Sequence, residues 1–206
     1  MTSMTAEAAA VSHDHDPHAT NTGISNTKLA MWLFLSTECL LFGGLISTYL
    51  LYKTRGNGQV LPTDIFDIMF TSVSSFVLLA SSLTMVLALS AAVRGDMHRT
   101  RVWLMVTALL GAVFIGGQVY EFTSFYYEGL GYTTNPAASA FYTLTGFHGI
   151  HVSLGLLMLM SLFVAAGQGK LTAKNHETIE IVGLYWHFVD VVWIFIFTVI
   201  YLIPAE

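Results

Sequence analysis

Three histidines and two carboxylates sit inside long apolar stretches of this sequence. His187 and Asp190 lie in the run Tyr185-Trp186-His187-Phe188-Val189-Asp190-Val191-Val192-Trp193-Ile194-Phe195-Ile196-Phe197. They are three apart, which on a helix puts them on one face, while Trp186 and Trp193, seven apart, share a second face. His148 and His151 stand one turn apart in Thr145-Gly146-Phe147-His148-Gly149-Ile150-His151, and Glu38 lies in Ser36-Thr37-Glu38-Cys39. Such groups are costly in hydrocarbon, so each must face protein, water or a partner. Three chemistries suit them: a hydrogen-bonded polar contact between packed helices, a proton relay, or ligation of a metal or haem by histidines on facing helices. The last lacks a Glu-x-x-His pair, and the flanking aromatics suit packing equally well. Gln118 and Glu121 are again three apart, in Gly116-Gly117-Gln118-Val119-Tyr120-Glu121-Phe122. There the glycines permit close helix approach, and packing is the favoured reading.

The elements that must position these residues are membrane helices. Of 206 residues, 54% are hydrophobic and only 10% charged, against about 25% charged in soluble domains. Mean hydropathy is +0.65. The apolar segments are continuous rather than alternating, which excludes a barrel and leaves an all-α bundle. Five spans are predicted, at about 27–52, 65–93, 101–125, 138–166 and 179–203, joined by loops too short for a separate domain. Glu38 then falls about 16 Å into the first span, close to the midplane. It is expected to be hydrogen-bonded to a neighbouring helix, serving structure, proton relay or lipid contact.

Residues 1 to about 26 read as a disordered polar tail. Its Ser12-His13-Asp14-His15-Asp16-Pro17-His18 run could bind a metal weakly, and it lacks the pattern of a cleaved signal peptide. The formal charge of −5 is modest, with no basic patch for nucleic acid. The single cysteine, Cys39, has no internal disulfide partner. Placing the N-terminus inside makes six basic residues cytoplasmic (Lys28, Arg94, Arg99, Arg101, Lys170, Lys174) against two outside, Lys53 and Arg55. The expected topology is therefore N-in, C-out.

Across nearly the whole chain after the tail, the sequence resembles subunit III of the haem-copper terminal oxidases, above all of cytochrome c oxidase. The carrying motifs are Phe141-Tyr142-Thr143-Leu144-Thr145-Gly146-Phe147-His148-Gly149-Ile150-His151-Val152 and Tyr185-Trp186-His187-Phe188-Val189-Asp190-Val191-Val192-Trp193. Ser36-Thr37-Glu38, the stretch from Thr71 to Ser82, and Gln118-Val119-Tyr120-Glu121-Phe122 support them in the same order.

The resemblance implies a five-helix bacterial form in the plasma membrane, lacking the first two helices of seven-helix members. It implies a non-catalytic subunit with no cofactor of its own, since haem and copper belong to partner subunits. Its partners would be the catalytic subunit I, subunit II and bound phospholipid, with a larger respiratory supercomplex as a further setting. Glu38 matches the family's buried glutamate, known for reaction with a hydrophobic carbodiimide and tied to proton uptake. Gln118, Glu121, His148, His151, Trp186, His187 and Asp190 match motif positions assigned to packing and to lipid or subunit contact. The bo-type ubiquinol oxidases form a sister branch with a five-helix subunit III. Glu38 and Phe147 favour cytochrome c over quinol as the donor to the complex.

Overall fold

The computed structural model describes residues 25–55, 68–171 and 176–203. The tail histidines, residues 65–67 of the second expected span, and Lys174 lie outside them. Five long helices follow one another: α1 (Asn26–Arg55), α2 (Ile68–Val93), α3 (Met97–Tyr127), α4 (Pro136–Gly167) and α5 (His176–Phe197). All five are long and apolar enough to cross a membrane. The last continues into a π-helical turn over Thr198–Leu202.

The connections are tighter than the sequence suggested, because their chemistry is specific. Helices α2, α3 and α4 each end on a glycine with positive φ: Gly95, Gly129 and Gly169. In each case the next residue's N–H reaches five residues back, Asp96 to Ala91, Leu130 to Phe125 and Lys170 to Ala165. This closure satisfies the last carbonyls of the helix and needs a left-handed residue that glycine supplies without strain. Asp96 then caps α3 by accepting from the Arg99 N–H, so the helix starts at Met97 rather than near Arg101. Asn135 caps α4 ahead of Pro136, the residue best suited to a first helical position.

Packing converges on α5. Its Trp186 is fully buried, with the indole ring seated against Gly111 of α3 and Gly155 of α4. A Cβ at Gly111 would lie 2.6 Å from the ring, and one at Gly155 2.8 Å. The close approach expected at Gly116 and Gly117 is only partly there. Gly117 faces Ser74 of α2, whereas Gly116 faces open space.

Helix α1 is peripheral and rests on α4 and α5. It buries one narrow seam, Leu35, Phe42 and Tyr49, spaced seven apart, the period of a coiled-coil stripe. Cys39 lies on its exposed side as a free thiol. Three polar contacts line the same seam: Lys28 with Glu180 at 2.7 Å, Glu38 with His151, and Lys53 with the end of α5. Ser25 also bonds Glu177 beside the first of these.

Lys53 corrects an expectation. Rather than opening the first loop, it is helical and 4% exposed. Its ammonium donates to the carbonyls of Val199, Ile200 and Ile203. The cause is the helix end it meets: terminal carbonyls lack partners within their own helix and attract a cation.

Candidate functional site

The polar residues of the two long motifs occupy the interfaces between helices, each turned to a different neighbour. Nε2 of His151 on α4 lies 3.1 Å from Oε2 of Glu38 on α1. Nδ1 of the same ring lies 2.7 Å from the carbonyl of Phe147, one turn earlier. A carbonyl only accepts, so Nδ1 carries a proton. Nε2 can then accept from a protonated Glu38, or donate to its carboxylate when the ring is an imidazolium. Either arrangement places one proton between the two side chains. Phe42 sets its edge against the ring at 5.1 Å, and the Tyr185 hydroxyl donates to the His151 carbonyl. His151 borders an apolar cavity of about 530 Å³ between α1, α4 and α5, lined by Met31, Phe34, Leu154, Met158 and Tyr185 among others.

His148 is fully buried one turn away on α4 and faces the other direction. Its Nε2 donates to the Val189 carbonyl at 3.2 Å, and its ring packs against both Phe114 and Trp193, which also touch each other. The Nδ1 atom has no hydrogen-bond partner.

The expected pairing of His187 with Asp190 is not formed. His187 is half-buried and bonds Ser82 of α2 at 2.6 Å through Nδ1. Asp190 is 2% exposed, with neither carboxyl oxygen in a hydrogen bond. Three residues along a helix leave the two side chains about 60° apart, so Ser82 of α2 lies beside both, and its hydroxyl bonds His187 rather than Asp190. The indole N–H groups of Trp186 and Trp193 donate to Ser81 and Ser75, both at 2.9 Å. The serines of α2 thus answer three polar atoms of α5. Sequence reasoning took the Thr71–Ser82 stretch only as a supporting match. The signal available was a row of hydroxyls recurring along one side of an otherwise apolar helix.

Gln118 and Glu121 serve two further interfaces. Gln118 donates to the Thr145 carbonyl of α4 at 2.7 Å, close beside Gly149. Glu121 accepts from Thr71 of α2 and from the Tyr201 hydroxyl in the π-helical turn. The two expected groups, His148 with His151 and His187 with Asp190, are therefore dispersed. Among the described residues, no three His, Cys, Asp or Glu side chains come together as a metal site would require.

The model of the family "Cytochrome c oxidase subunit III" matches residues 3–204. This chain belongs to that family. Similar members come from both oxidase branches. The cytochrome bo(3) ubiquinol oxidase subunit 3 of Pseudomonas aeruginosa is 42% identical over 97% of this chain and 95% of its own length. The cytochrome c oxidase subunit 3 of Bacillus sp. PS3 is 42% identical over 86% of each chain. The quinol oxidase subunit 3 of Bacillus subtilis is 38% identical over 84% of this chain and 85% of its own. As a subunit III family member, the chain is a multi-pass membrane protein and a component of a haem-copper oxidase, with the other oxidase subunits as its partners.

Proposed function

We propose that the chain is the accessory, non-catalytic subunit III of a proton-pumping, haem-copper cytochrome c oxidase. It sits in the bacterial plasma membrane with its N-terminus in the cytoplasm, beside subunits I and II, which hold the haem and copper. Oxygen reduction takes place on those partners. This chain holds phospholipid, supports proton uptake and keeps the complex intact through turnover.

The observation that carries this reading is the Glu38–His151 pair. It is a carboxyl and an imidazole 3.1 Å apart, in the membrane interior, at the rim of an apolar cavity. A pair that shares one proton and stays neutral can remain in hydrocarbon without the cost of an isolated charge. It can exchange that proton with a partner surface when the surroundings change. The cavity beside it has the lining of an acyl-chain site. His148, His151 and His187 each hold a separate helix contact, which favours a structural over a ligating role.

A second reading makes quinol the donor to the complex. It is favoured by the Pseudomonas bo(3) relative, whose alignment extends over nearly the whole of this chain. Oxygen consumption by the purified complex decides between them. Activity with reduced cytochrome c, and little with a short-chain quinol, supports the first reading, and the reverse pattern supports the second.

A further inference from the structure

At the end of the bundle that carries Lys28, a groove of about 360 Å³ runs between α3 and α4. It is lined by His98, Arg101, Val102, Met105, Val106 and Phe163. Arg101 is the fifth residue of α3, about 6 Å along the helix from its start. In a spanning helix of this length, that is the depth at which phospholipid headgroups meet their acyl chains. The guanidinium lies over the Phe163 ring, 5.1 Å from its centre. Gly167 leaves it room, since a Cβ there would stand 3.2 Å from a terminal nitrogen.

The hydrogen-bond donors of Arg101 are unspent. Its Nε is buried and has no partner. Among the described residues, no carboxylate lies within ion-pair distance of it. The acids at this end are already engaged, Asp96 with Arg99, Glu180 with Lys28 and Glu177 with Ser25. Nor is Arg101 needed to cap α4, because the carbonyls of Val164, Ala165 and Ala166 accept from Gln168, Lys170 and Gly169. His98, one turn earlier on the same side of α3, adds a second donor.

We propose that this groove binds an anionic phospholipid, with Arg101 and His98 holding its phosphate and an acyl chain lying along Val102, Met105 and Val106 against Phe163. An always-charged planar donor, stacked in place at headgroup depth above an apolar channel, matches both halves of such a molecule. The site lies on the α3–α4 side of the bundle, apart from the cavity beside Glu38, and does not depend on which donor the oxidase uses.

The test uses the oxidase complex purified through a tag on this chain and depleted of loosely held lipid. Phosphatidylglycerol is titrated in, and bound lipid is counted by native mass spectrometry. Arg101→Gln should weaken binding of one phosphatidylglycerol per chain by at least about tenfold, with Arg101→Lys recovering part of it. Val106→Phe, which keeps the charge and fills the groove, should cause a similar loss. It decides the matter if Arg101→Gln drops out of the complex. Inorganic phosphate at millimolar concentration should not displace the lipid. Unchanged binding in Val106→Phe, or in an assembled Arg101→Gln complex, overturns the proposal. Displacement by inorganic phosphate alone would also overturn it, by making the site one for free phosphate.

Discussion

Oε2 of Glu38 and Nε2 of His151 stand 3.1 Å apart, and through them the peripheral helix α1 is tied to α4 near the middle of both helices. Helix association in lipid has no hydrophobic driving force, so packing and polar contacts must supply it. Along its seam α1 has three such contacts, at Lys28, Glu38 and Lys53. Glu38 thus docks a helix, and in the function proposed above it also shares a proton.

Substitution at Glu38 separates those roles. Glu38→Gln keeps a side chain that can hydrogen-bond His151 but no longer exchanges a proton. Assembly and haem content of the complex should stay near normal, while proton uptake slows or turnover is shorter-lived. Glu38→Ala removes the contact altogether, at about 1–2 kcal/mol, and should also loosen the subunit. Stopped-flow proton uptake and the subunit III content of the purified complex read the two effects.

Lys53→Met should be more damaging than an exposed loop lysine would be. It strips three carbonyls at the end of α5 of their donor, costing about 1–3 kcal/mol for a buried group left unpaired. A lower temperature of subunit III release, followed by gel analysis of heated complex, is the expected result.

Gly155→Val and Gly111→Val drive a side chain into the Trp186 ring, which is fully buried and fixed by Ser81. Overpacking of this kind costs about 1–3 kcal/mol or more. Gly116→Val, facing open space, should be nearly silent. Comparing thermal release of the three variants checks whether the close packing sits where the structure places it.

His187→Leu should be milder than the sequence alone suggests. It frees Ser82, whose hydroxyl can turn back to its own helix backbone, and does not take a hydrogen bond from Asp190. A loss of about 1 kcal/mol is expected. Dissociation of subunit III from this single change would contradict the contacts described for His187.

The number of helices and the residues of interest were legible in the sequence, because a polar group within an apolar span is costly enough to stand out. The partners were not. His187 and Asp190 share a helical period, yet what each meets depends on α2 and on the bundle interior, and spacing along α5 carries no information about either. Gly111 and Gly155 look no different from Gly116 until Trp186, distant in sequence, is placed against them. Lys53 looked like a loop residue because hydropathy falls there, whereas the open carbonyls that claim it belong to the far end of the chain.

The central claim is tested most directly by tagging this chain, purifying it in mild detergent, and recording reduced-minus-oxidised spectra before and after the partners are stripped away. Haem absorbance and oxygen reduction should leave with the partner subunits, and the isolated chain should carry no chromophore. Haem retained on the isolated chain, and lost when His148, His151 or His187 is replaced by alanine, would contradict an accessory role and make these histidines ligands.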